Sequence, residues 1–278
     1  MPISHKSAFL GYNDQKNCFV CIFSLCLYNI KKIKTISMSL ETILNFRRAV
    51  RLYDSSKELN PEKVKEAIRL ATLAPTSSNM QLWEAYHITN ADVKDQLAEA
   101  CLGQGSARQC KQMVVFVTRQ DKWKSHSEAV LQANIAEIIQ NSPANRRESR
   151  IAAQKEYYGK LMPHVYRRFF GLLGFLRKLT VLFWGLFRPI KRQVSESEVN
   201  AVVHKSCALA AQTFMLAMSE QGIDTCPLEG FDSLRVKHIL HLPWNCEINM
   251  IITCGYRAEG GVRGDRFRLP LDEFYHMV

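Results

Sequence analysis

Between Ser195 and Gln221 the chain carries VVHKSCALAAQTFMLAMSE, a long apolar stretch with few charges through its middle. Ser195 and Glu198 match the capping-box pattern that opens a helix, and Gly222 supplies a stop. A helix this long and this apolar cannot stand in water and belongs in a core or a subunit interface. The remainder of the chain must therefore wrap it. Met38 to Arg48 reads as the opening helix of a domain. Asn60 and Pro61 read as an N-cap and first-turn proline, with Val64, Ala67, Ile68 and Ala71 at helical spacing. EAYHIT after Trp83 reads as a strand, Asn90 caps a helix to about Ala100, and QMVVFVT (112–118) reads as a buried strand. After the long helix, CPLEGFD is expected as a turn, Asp232 as the cap of a short helix, and CEINMIITC as a further strand. No internal repeat is visible. The pattern predicts an α+β fold, with a central mixed, mainly antiparallel sheet flanked by helices.

At 278 residues, 47% hydrophobic and 23% charged, the chain is long enough to bury a full core. Nine cysteines scattered through apolar runs form no regular framework, which points to reduced thiols and a cytoplasmic setting. The net charge of +11 is concentrated in two places. Residues 1–37 carry +4 and residues 167–192 carry +7, so the rest is neutral and no general nucleic-acid binder is indicated. The 1–37 extension includes the apolar CFVCIFSLCLYNI. It reads either as a short targeting segment or as sequence upstream of a true start at Met38. Its Cys18 and Cys21 lack a second pair at zinc spacing, and His238 and His241 lack carboxylate partners, so no metal site is nominated.

An insertion at about 156–194 contains RRFFGLLGFLRKLTVLFWGLFRPIKR. As a membrane span it fails: apolar side chains at roughly −0.3 to −0.6 kcal/mol each are about cancelled by Arg177 and Lys178 at roughly +2.5 to +3.5 each. Two apolar blocks with basic edges suit an interfacial element, lying on an anionic membrane surface or packing on a partner subunit as a lid.

Four separated segments carry candidate chemistry. RRAVRLYD (47–54) brings Arg47, Arg48 and Arg51 together, donors suited to phosphate, although three arginines alone are more often a solvated face. LAPTSSNMQLW (73–83) packs hydroxyls and amides between two apolar elements, and a plain helix-to-strand loop would look similar. PLEG (227–230) places a glycine after a carboxylate, where backbone N–H groups could approach a ligand or merely turn the chain. DRFRLP (265–270) supplies Arg266 and Arg268, which share a face if extended. GQGSAR (103–108) is no dinucleotide fingerprint, because Arg108 replaces the third glycine and the motif precedes a strand.

In this order and spacing, the four segments from Met38 to the C-terminus resemble the FMN-dependent nitroreductase family, the insertion excepted. The resemblance implies an intertwined homodimer that binds FMN and uses NADH or NADPH. It implies that Arg47, Arg48 and Arg51 meet the FMN phosphate, ribityl chain and pyrimidine edge, and that Arg266 and Arg268 close on the phosphate. Pro75, Thr76, Ser77 and Asn79 would reach a flavin held mainly by the other subunit. Gln104 would contact the pyrimidine ring. Pro227, Leu228, Glu229 and Gly230 would pack one flavin face and aim backbone N–H groups at its N5 edge. The implied activity is electron transfer from NAD(P)H to a nitroaromatic, a quinone or a similar small acceptor by a ping-pong mechanism, with the cofactor carrying the redox chemistry and no proton-transfer residue nominated. Flavoproteins resembling this one also dehalogenate or fragment their substrates, and a non-catalytic, membrane-associated flavin binder is the remaining alternative. Two residues depart from the family pattern. Ala49 stands where serine is usual, and Leu82 where proline is usual, which is expected to loosen the turn before Trp83. Cys226, beside PLEG, reads as a buried, inert thiol.

Overall fold

The computed structural model describes residues 39–278, so the 1–37 extension, with Cys18 and Cys21, and the proposed start at Met38 lie outside the described residues. Ile43–Val278 form one compact unit, which the packing described below concerns. The elements in chain order are α1 (Leu40–Phe46), α2 (Pro61–Ala71), β1 (Trp83–Ile88), α3 (Ala91–Ala100) and α4 (Gly105–Gln109). They continue with β2 (Gln112–Thr118), α5 (Trp123–Asn141), α6 (Ala144–Glu156), α7 (Met162–Tyr166), α8 (Leu172–Trp184) and α9 (Glu196–Glu220). The last are β3 (Asp224–Leu228), α10 (Ser233–Ile239) and β4 (Glu247–Gly255).

The four strands are ordered β1-β2-β4-β3 and every pairing is antiparallel. The expected mixed character survives only as one isolated parallel bridge, Ala49 to Thr225. The second difference concerns CPLEGFD: Cys226, Pro227 and Leu228 belong to strand β3, and the turn starts at Glu229. Proline is tolerated there because β3 lies at a sheet edge, where a missing donor costs no ladder bond.

Strand β2 is central and buried along its whole length. Its alternating side chains serve two cores. Met113, Val115 and Val117 face a cluster with Leu97 of α3 and Val236 of α10. Val114 and Phe116 face a second cluster built on α2 and α9, where Val64, Ala67, Cys207, Ala210, Phe214 and Met218 meet. The long helix thus buries one stripe against the sheet, as its composition required. Its start is the expected capping box: Glu198 N donates to Ser195 Oγ at 3.2 Å, and Ser195 N donates to the Glu198 carboxylate at 2.9 Å. The six cysteines among the described residues are buried and free.

A third cluster is separate from the sheet. Met80, Leu82, Val130, Leu131, Tyr158 and Tyr166 pack with Val199 and Val203 near the start of α9. The excursion between β2 and α9 is therefore seated on the 75–82 loop. Leu82, expected to loosen that turn, is only 3% exposed and anchors it by packing.

Candidate functional site

The segment 47–54 is pinned by its apolar members. Val50 and Tyr53 are buried, the Tyr53 ring lies over Gly255, and its hydroxyl donates to the Thr253 carbonyl at 3.1 Å. The intervening arginines are left at the surface, half-buried. Arg51 N donates to the Gly261 carbonyl at 2.7 Å, and a Cβ on Gly261 would sit 2.6 Å from the Leu52 carbonyl oxygen, so only glycine allows this approach.

The C-terminal segment then folds back over this one. Arg266 donates to the carbonyls of Arg47 at 2.6 Å and Leu44 at 2.8 Å, and Arg48 donates to the Gly264 carbonyl at 2.8 Å. Four guanidiniums from opposite ends of the chain are crowded together. Burial, followed by the charges of Arg266, Arg268 and Arg48, lowers the pKa of Arg47 below its ordinary value. Among the described residues, no carboxylate pairs with Arg47, Arg48, Arg51, Arg266 or Arg268. A cationic cluster of this kind can accept an anion.

The GQG and PLEG turns meet beside it. Gln104 Nε2 donates to the Gly230 carbonyl at 2.8 Å, and Gly105 lies against the Arg51 backbone. Glu229 and Gly230 are exposed, whereas the Leu228 side chain is buried in the core on the sheet. Arg51 and Arg47 are near the Cys226 thiol; burial dominates there and raises the thiol pKa, which keeps it protonated and unreactive.

The 75–79 loop is elsewhere. Pro75, Ser77 and Asn79 are exposed and Thr76 is half-buried. Among the described residues no hydrogen bond joins this loop to the arginine cluster of the same chain. Its backbone is unusual: Ser78, Asn79 and Gln81 have φ of 52°, 51° and 50°, a left-handed region that costs ordinary side chains energy. Ser77 N donates to Ser206 Oγ on α9 at 3.2 Å, Tyr158 donates to the Ser78 carbonyl at 3.0 Å, and Ser78 Oγ lies 2.8 Å from the Tyr157 hydroxyl. Under the loop is a cavity of about 390 Å³, bordered by Ser77, Ser78, Tyr157, Met162 and Val181.

Sequence reasoning missed the residues that hold these parts in place. Arg257 pairs with Asp224, which is 4% exposed, and also donates to the Phe46 carbonyl at 2.9 Å while stacking on the Phe46 ring at 4.4 Å. This couples the arginine segment to the end of the sheet. Asp224 follows the stop of the long helix directly, and an acid beside an apolar run was the available signal. Ser206, Tyr157 and Tyr158 left no such trace.

Fold and site together define an α+β protein with a cluster of cationic side chains assembled from both ends of its domain. The chain belongs to the nitroreductase family, whose model matches residues 44–256. Among its relatives is MhqN of Bacillus subtilis (strain 168), named for an NAD(P)H nitroreductase and 24% identical over 232 residues, covering 84% of this chain and 95% of MhqN. A Bacillus subtilis structure solved under a nitroreductase name superimposes with a TM-score of 0.65 at 21% identity, covering 86% of this chain and 98% of the other. A protein of Exiguobacterium sibiricum crystallised in complex with FMN superimposes with a TM-score of 0.60 at 17% identity, covering 87% and 98%.

Proposed function

We propose that the protein is an FMN-dependent oxidoreductase that moves electrons from NADH or NADPH to a nitroaromatic, a quinone or a similar small acceptor. The observation that carries this reading is the set of five guanidiniums that have no carboxylate partner among the described residues, beside two glycine turns. A flavin mononucleotide fits that donor set, because its dianionic phosphate matches the uncompensated charge and its flat ring needs backbone at close approach. Arg47, Arg48, Arg266 and Arg268 would hold the phosphate. Arg51, next to Gly105, would lie on the ring side and stabilise the negative charge that reduction brings. Gln104 would present its amide to the ring, and the exposed backbone at Glu229 and Gly230 would orient it. Bound FMN would supply hydride acceptance and onward electron transfer. No side chain of the site is assigned a proton transfer.

The strained, exposed 75–79 loop supports a shared site in a homodimer. Its polar groups have no ligand within their own protomer's arginine cluster, and a two-fold partner would bring them to a second one. The FMN complex of the E. sibiricum protein and the NAD(P)H nitroreductase name of MhqN are consistent with the cofactor and the donor. An absorbance spectrum tests the reading. The purified protein should be yellow, or become so after soaking in FMN, and should bleach on adding NADH or NADPH without oxygen. A preparation that stays colourless after soaking excludes the cofactor, and a flavin untouched by both nicotinamides excludes the donor.

A further inference from the structure

The insertion segment has one face that nothing among the described residues covers. Phe170, Phe175, Leu179, Leu182, Phe183 and Phe187 are each between 49% and 94% exposed and form one stripe along α8 and its flanks. The two charges inside this stretch are turned the other way. Arg177 is 6% exposed and donates to the carbonyls of Arg167, Val165 and Val194, at 2.6, 2.8 and 3.2 Å. Lys178 donates to the Arg192 carbonyl at 2.9 Å and to Glu198 at 2.7 Å. These contacts take both charges off the apolar stripe and leave it uninterrupted for an interfacial element.

The helix cannot roll to hide that face. Gly174 lies against the backbone of α9, where a Cβ would be 2.6 Å from Glu196 N. Glu196 accepts from the N–H groups of Phe169 and Gly171, both at 3.0 Å, so the start of α8 is tied to the start of α9. At both ends the apolar stripe is rimmed by exposed bases, Arg167 and Arg168 before it and Arg188, Lys191 and Arg192 after it, with no acid between 167 and 192. Arg188 lies over the Trp184 ring at 5.3 Å, an aromatic with its polar edge near a cation, as found at lipid headgroup depth.

We propose that this face docks the protein on an anionic lipid bilayer, with α8 lying in the plane of the interface and the basic rims among the headgroups. Charge chooses this occupant over a second copy of the chain. A two-fold partner would set the same patch against itself, bringing two basic rims together in which, among the described residues, only Arg168 has a carboxylate, Glu247 at 3.6 Å, whereas anionic headgroups complement them. The inference does not depend on the flavin.

The test is co-sedimentation of the full chain with vesicles of phosphatidylcholine alone and of phosphatidylcholine mixed with phosphatidylglycerol. Binding should be stronger on the anionic vesicles and weaken with salt. Leu179→Glu with Phe183→Glu should lower it by about tenfold or more, because the stripe must then carry charge into the interface. Arg188→Gln with Lys191→Gln should lower it by roughly fivefold per charge on anionic vesicles and hardly at all on neutral ones. All four side chains are exposed, and an unchanged cooperative thermal melt confirms the fold of each variant. Absence of binding to either vesicle, or binding that neither pair of substitutions alters, overturns the proposal. So does a chain that ignores vesicles but loses self-association in gel filtration when the apolar pair is changed.

Discussion

At the scale of single residues, the site depends on where charge is left without a partner. Arg266 has a double role, tying the chain's two ends together through backbone carbonyls and adding charge beside Arg47. Arg266→Ala is expected to weaken FMN binding by about 1.5 to 3 kcal/mol, the range of a charged hydrogen bond, which fluorescence-quenching titration would read; unchanged affinity would remove Arg266 from the site. Arg257 has the opposite task of neutralising a buried charge. Arg257→Ala leaves Asp224 only the backbone N–H of residue 257 as a partner and should cost up to about 3 kcal/mol in urea unfolding, more than an exposed ion pair would. The arginines were legible in the sequence because they cluster in two short motifs. The Arg257 and Asp224 pair was not, since 33 positions separate the partners and nothing local marks them as neighbours.

At the scale of elements, caps and apolar periodicity were read almost residue by residue, because both are set by groups within one turn of each other. Asn60, Asn90, Ser195 and Asp232 all cap the helices expected of them. Strand β3 was read as a turn because Pro and Gly dominate its local signal, whereas its pairing with β4 is a long-range matter. The capping box of α9 gives a stability prediction. Ser195→Ala should cost about 0.5 to 2 kcal/mol, seen as a lowered melting temperature. Its partner Glu198 gives a pH dependence. The Lys178 ammonium, then the Ser195 backbone and hydroxyl, lower the Glu198 pKa from its ordinary 4.5 to about 2. A depressed carboxylate contributes stability that is complete above its unfolded-state value and fades as pH falls towards the folded one. The stability gap between the wild type and Glu198→Gln should therefore be constant near neutral pH and shrink between about pH 4.5 and 2. A gap that is flat or widening across that window would show that the carboxylate is not held in this way.

At the scale of the whole molecule, the loop at 75–79 and the arginine cluster are two halves that one chain does not bring into hydrogen-bonding contact. If they complete one another between subunits, the flavin-loaded protein sediments as a dimer, and a stable flavin-loaded monomer in analytical ultracentrifugation would refute the shared site. The sequence alone determined the class of fold, three of the four strands, the helices that open on a recognisable cap, and the segments from which an anion site could be built. These follow from backbone propensity and from periodicity, which act over a few residues. Tertiary structure decided the rest: that every strand pairing is antiparallel, that Leu228 is turned into the core, and that Arg177 is buried while Lys178 turns to Glu198, off the apolar face. Each of these depends on which distant carbonyl or side chain is available to satisfy a buried group, and that is known only once the chain has closed on itself.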